Sequence, residues 1–158
     1  MKYRLWILVI VLGQNVFAQD EDHTEHDHGH HHEIGIANAP VYFFKEKELS
    51  YGLHFHYLYT INHSKFGIGL GYEQIFDEHQ HRIIGVIGSY RPVDKLSINV
   101  SPGVTYEGFD TSHMNFVMHF ETTYEVELHD FHLGPVLGFS YDPEDYHISL
   151  GVHVGYGF

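Results

Sequence analysis

The segment Tyr146–Phe158 reads YHISLGVHVGYGF, and its alternation decides the fold. Tyr146, Ile148, Leu150, Val152, Val154, Tyr156 and Phe158 fall on one side of an extended chain. His147, Ser149, Gly151, His153, Gly155 and Gly157 fall on the other. Successive strand side chains point to opposite faces, so a period of two predicts a strand with one apolar, aromatic face and one small, polar face.

The same alternation recurs upstream. Phe66, Ile68, Leu70 and Tyr72 alternate with Gly67, Gly69, Gly71 and Glu73. Leu49, Tyr51, Leu53, Phe55, Tyr57 and Tyr59 alternate with Ser50, Gly52, His54 and His56. Two further stretches, Leu96–Glu107 and Phe116–Glu125, follow the rule. The runs at 82–91 and 131–141 obey it less strictly, and 34–44 is expected to change face near Pro40. Eight strands of roughly ten residues result, the length that crosses a bilayer when tilted. The connections expected at 45–48, 60–65, 77–81, 92–95, 108–113, 127–130 and 142–145 are short. The predicted class is all-β, an eight-stranded antiparallel up-and-down transmembrane β-barrel over 34–158.

Which face is inside follows from composition. A soluble barrel turns its apolar face inward and shows long charged side chains to water. Here the second face is Gly, Ser, His and Glu, small enough for a narrow eight-stranded lumen. Lys45, Lys47, Lys65, Arg82, Arg91 and Lys95 are all expected in turns or at strand ends, so no cation faces hydrocarbon. Tyr and Phe near strand ends suit the membrane–water boundary. The apolar face is therefore expected outward.

The other end of the chain carries two different segments. Residues 1–18, MKYRLWILVIVLGQNVFA, have a positive start at Lys2 and Arg4, an apolar run Leu5–Leu12 and a small-residue site at Ala18. That pattern predicts a secretory signal peptide. Residues 19–33, QDEDHTEHDHGHHHE, contain no apolar side chain and are expected to be disordered by themselves. The formal net charge of −13 becomes more negative once Lys2 and Arg4 are removed, which argues against a nucleic-acid partner. The absence of cysteine excludes disulfides, thiolate zinc sites and iron–sulfur clusters.

The ending Gly155-Tyr156-Gly157-Phe158, an alternating strand with a terminal Phe, resembles the C-terminal signature of bacterial outer-membrane β-barrels. Over 34–158 the chain resembles the small OmpA/OmpX-like eight-stranded group in its Bacteroidetes style. It departs from that group in its short loops and its histidine tail. The resemblance implies a monomer in the outer membrane of a Gram-negative bacterium, surrounded by outer-membrane lipid and inserted by the barrel-assembly machinery, which reads the strand ending at Phe158. It also implies periplasmic termini, with the tail in the periplasm and the turns at 45–48, 77–81, 108–113 and 142–145 facing outward.

Two places could carry chemistry. The tail offers His23, His26, His28, His30, His31 and His32 among carboxylates, a donor set that suits a zinc, copper or nickel ion. The lumen is expected to hold Glu73, Glu107, Glu121 and Glu125 with no Lys or Arg beside them. Buried carboxylates must be paired, protonated or bound to a metal. Their expected partners are His54, His56, His119, His132, His147 and His153. His119 and Glu121, two apart on one face, are the first candidate metal ligands, with His54 and His56 next. No organic cofactor and no enzymatic activity are expected. His147-Ile148-Ser149 resembles the His-x-Ser of lipid A deacylases, but no Glu follows it and the pair lies on the polar face. The favoured reading is a porin-like outer-membrane barrel whose metal-chelating tail serves divalent metal binding or homeostasis, while a filled lumen argues against a diffusion pore. Its alternatives are a structural or adhesive barrel without a metal role and a lipid-acting membrane enzyme.

Overall fold

The computed structural model describes residues 30–158. The expected signal peptide and the tail residues His23, His26 and His28 lie outside the described residues. Nine strand segments follow one another: β1 (His32–Phe43), β2 (Glu48–Thr60), β3 (Phe66–Ile75), β4 (His81–Val93), β5 (Leu96–Glu107), β6 (Asp110–Tyr124), β7 (Val126–Leu128), β8 (Phe131–Tyr141) and β9 (Tyr146–Gly157). Glu125 separates β6 from β7, and both pair antiparallel with β8, so they form one stave of the wall. With β6 and β7 counted as one stave, neighbouring staves pair throughout, and β1 also pairs with β9. The result is a closed, eight-stranded antiparallel barrel with no free edge.

Its apolar face is outside, as the composition of the two faces predicts. Leu70, Leu150 and Ile68 are 62%, 63% and 54% exposed, while inward-facing His147 and His153 are 3% and 1% exposed. At the end bearing the 44–47 turn, Phe44 stacks on Tyr146 and Tyr51 on Phe76. At the other end Phe66 stacks on Tyr90, and Tyr156 on Phe158. Aliphatic side chains lie between these two aromatic rows, the distribution that a bilayer with two polar boundaries selects.

Several expectations change. The face does not shift near Pro40: Ala37, Ala39, Val41 and Phe43 all point inward, and Asn38, Pro40 and Tyr42 outward. Proline has no N–H to give the ladder, and the β1–β9 pairing passes over Ala39 and Pro40 while keeping its register on both sides. Strand β1 also begins two residues earlier than expected. His32 and Glu33 thus belong to the wall rather than the tail, and Glu33 is buried. The connection expected over 108–113 shrinks to Gly108-Phe109, with Gly108 at φ 54°, a left-handed conformation that costs glycine little. Glu107 is exposed at the rim beside His79, not in the lumen.

The lumen is filled unevenly. Val41, Phe43 and Ile75 form an apolar plug toward the 44–47 turn. Toward the termini the filling is imidazole and carboxylate, with room supplied by inward glycines.

Candidate metal centre in the barrel lumen

Histidines and glutamates meet in the lumen because the register sets them at matching heights on different strands. His54 on β2 lies opposite Glu73 on β3, and Asn99 on β5 opposite Glu121 on β6. Across the lumen, His54 Nδ1 is 3.1 Å from Glu121 Oε2, and Asn99 Nδ2 donates to Glu121 Oε1 at 3.3 Å. His119 Nδ1 is 3.2 Å from Glu73 Oε2, and its ring stacks on that of His54 with centroids 5.3 Å apart. His119 and Glu121 share a face, as expected, yet each takes its partner from another strand. The pair does not act as one ligand set. Alternation placed both inward, but the inner wall curves, and opposite staves come closer than residues two apart on one strand.

A second tier lies nearer the termini. His56 Nε2 is 3.2 Å from Glu33 Oε1, and the His56 and His153 rings stack at 5.0 Å. Arg91 Nη2 donates to Glu33 Oε2 at 2.6 Å and lies 3.4 Å from Glu125 Oε2. Arg91 therefore corrects the expectation of a lumen without cations: its position near a strand end lets the guanidinium reach inside. Ser97 donates to Glu125 Oε1, and His132 Nδ1 lies 4.0 Å from Glu125 Oε2.

Among the described residues, two groups of donor atoms converge closely enough to hold one ion. The first is His54, His56 and Glu121; the second is Glu33, His56 and His153. In each group every ligand atom lies within 4.8 Å of the others. Nitrogen donors with one carboxylate suit zinc, copper or nickel. Three of the expected lumenal ligands, His54, His56 and Glu121, are thus brought together. His119 is held by Glu73 outside both groups. Sequence reasoning missed Glu33, whose position after a run of histidines disguised it. It did place His153 inward, and alternation outward from Ile34 would have put Glu33 there too.

The tail histidines that are described serve other contacts. His30 Nε2 is 3.2 Å from Asp130 Oδ1, and His32 Nδ1 is 2.7 Å from the Tyr57 hydroxyl. His31 is exposed, and its carbonyl accepts from Thr60 N. A cavity of about 80 Å³ opens at this end, lined by His30, His32, Glu33, Arg91, His129 and His132 among others. At the far rim the Asp77 carboxylate bonds both the backbone and the ring of His81. Burial alone would raise the Asp77 carboxyl, but the hydrogen bond and charge of the His81 ring hold it below the usual aspartate range.

No protein-family model matches the sequence, and no curated protein matches it. Solved structures do share its fold. The attachment invasion locus protein Ail of Yersinia pestis superposes with a TM-score of 0.57 at 14% identity, covering 80% of this chain and 97% of that one. Neisserial surface protein A gives 0.58 at 12% identity, with 80% and 96% covered. The N-terminal β-barrel domain of Pseudomonas aeruginosa OprF gives 0.53 at 15% identity, with 82% and 98% covered. A designed transmembrane β-barrel gives 0.55 at 13% identity. The chain has the fold of the small eight-stranded outer-membrane β-barrels.

Proposed function

We propose that the protein resides in a bacterial outer membrane and captures a divalent transition-metal ion of the zinc, copper or nickel class on its histidines. The observation that carries this reading is the convergence of His54, His56 and Glu121 in the lumen. His54 and Asn99 hold Glu121 there, and the Nδ1 of His56 is buried without a hydrogen-bond partner. The tail adds His23, His26, His28, His30 and His31 at the terminus end, where a chain rich in imidazole and carboxylate can collect ions. The likeness to Ail, Neisserial surface protein A and OprF supports the membrane location. Neither lipid chemistry nor any other catalysis is part of this reading.

Calorimetric zinc titration of the refolded protein in detergent tests it, with full-length chain and with chain lacking residues 19–29. Binding is expected in both at about pH 7.5 and weaker at about pH 5.5, where imidazoles take up protons. No binding in either protein would remove the metal role.

A structural or adhesive barrel is the second reading, supported by the likeness to an attachment protein. The short connections at the 44–47 end leave little surface for a partner. Unchanged unfolding in chelator together with no metal binding would favour it.

A further inference from the structure

We infer that the lumen offers a metal ion two alternative positions that share His56, the second being Glu33–His56–His153. This deepens the capture reading and rests on it, because it assigns where in the barrel the captured ion sits and from which end it arrives.

Four observations converge on the second position. Its three donor atoms lie within 4.8 Å of one another. Its side chains are 9%, 2% and 1% exposed for Glu33, His56 and His153, so the donors face one another and not solvent. Both ring nitrogens of His153 and the Nδ1 of His56 are buried without a hydrogen-bond partner. An unpartnered buried nitrogen carries a desolvation cost that a metal ion would offset. Finally, Arg91 grips Glu33 Oε2 at 2.6 Å and leaves Oε1 aimed at His56. A group that fixes a ligand's orientation from behind is a recurrent part of metal sites. Arg91 is a positioning residue here and touches no ion.

The space is prepared by glycines beside the two rings, Gly35 paired with His56 across β1–β2 and Gly155 on the strand of His153. A Cβ at Gly35 would overlap the His56 ring and lie 2.6 Å from His153 Nε2, and one at Gly155 would lie 3.1 Å from the His153 ring. Glycine at both positions lets two stacked imidazoles occupy one level of a narrow barrel.

Charge makes the positions alternatives: two dications in neighbouring sites of a poorly solvated lumen repel strongly, so an ion in one disfavours an ion in the other. The path has a direction as well. Glu33 belongs both to this site and to the wall of the terminus-side cavity, whereas toward the 44–47 turn the lumen holds the buried apolar cluster of Val41, Phe43 and Ile75. An ion entering from the terminus side meets Glu33–His56–His153 first and His54–His56–Glu121 second.

The test is zinc titration of the full chain carrying His23→Ala, His26→Ala, His28→Ala, His30→Ala and His31→Ala, so that the barrel dominates the signal. One zinc per barrel is expected. Glu33→Gln, His153→Asn and Glu121→Gln should each retain it, with affinity lowered by less than about tenfold, because the other position remains. The isosteric pair Glu33→Gln with Glu121→Gln should lower affinity about a hundredfold or more, and His56→Gln alone should do the same. Retained strand circular dichroism confirms that each variant is folded. Two zinc ions bound at once would overturn the inference. So would loss of binding on Glu121→Gln alone, which leaves capture at the single position His54–His56–Glu121 standing. Absence of zinc from the barrel with all lumenal residues intact would overturn both the inference and lumenal capture.

Discussion

Arg91 Nη2 and Glu33 Oε2 are 2.6 Å apart, and this ion pair joins the middle of the sequence to its first strand inside the barrel. It also neutralises one of the carboxylates that the lumen gathers. Breaking a buried pair by removing one partner leaves an uncompensated charge, which costs about 3–5 kcal/mol when burial is complete. Arg91 keeps 25% of its side chain exposed, so the smaller value of about 2–3 kcal/mol is expected for Arg91→Met. Urea unfolding in lipid vesicles measures it. Adding Glu33→Gln to Arg91→Met should recover part of the loss, since the orphaned charge is then gone.

Gly35→Ala should destabilise the barrel by about 1–3 kcal/mol, because its methyl group would be driven into the stacked imidazoles of His56 and His153. Gly88→Ala is the control. Nothing lies closer than 3.8 Å to a Cβ there, and the position faces outward. Comparing the two unfolding midpoints separates a packing requirement from a general intolerance of side chains at glycine.

Leu150→Arg should impair folding into bilayers by about 2–4 kcal/mol, because Leu150 lies in the aliphatic band between the aromatic rows. Leu49→Arg, close to the 44–47 turn, should cost about 1 kcal/mol or less, since the guanidinium can reach water there. Equal costs at the two positions would contradict the outward orientation of the apolar face.

The rim pair Asp77–His81 predicts an acid-dependent loss of stability. A carboxyl held below its ordinary value stabilises the folded state above its unfolded pKa, and that contribution is lost as the pH falls through the folded pKa. Asp77→Asn keeps an acceptor for the His81 backbone but removes the charge. The variant should therefore be less stable than the parent at about pH 5 and converge with it in strong acid, below the usual aspartate range near 4. Unfolding midpoints across that range give the answer.

The wall was legible because a strand reveals its faces in single residues. Tyr146 to Phe158 separates into two lists without exception, and so does the inward set Val117, His119, Glu121 and Thr123. Reading was weaker where one residue obscured the period. Pro40 suggested a face change, although proline removes only a hydrogen bond and leaves the alternation of side chains intact. At Glu33 the boundary between polar tail and strand was invisible, because His32 and Glu33 resemble the tail by composition and the wall by position.

Sequence alone determined that eight strands alternate between an apolar face for lipid and a narrow polar interior, since the period of two is a local property of extended backbone. It also determined that imidazoles and carboxylates would share that interior. Only the closed barrel decided who meets whom. Closure and register brought Glu33 beside His56, His153 and Arg91, placed Glu121 against His54, and gave His119 to Glu73. Such contacts depend on how strands wrap around a common axis, and no spacing within one strand encodes that distance.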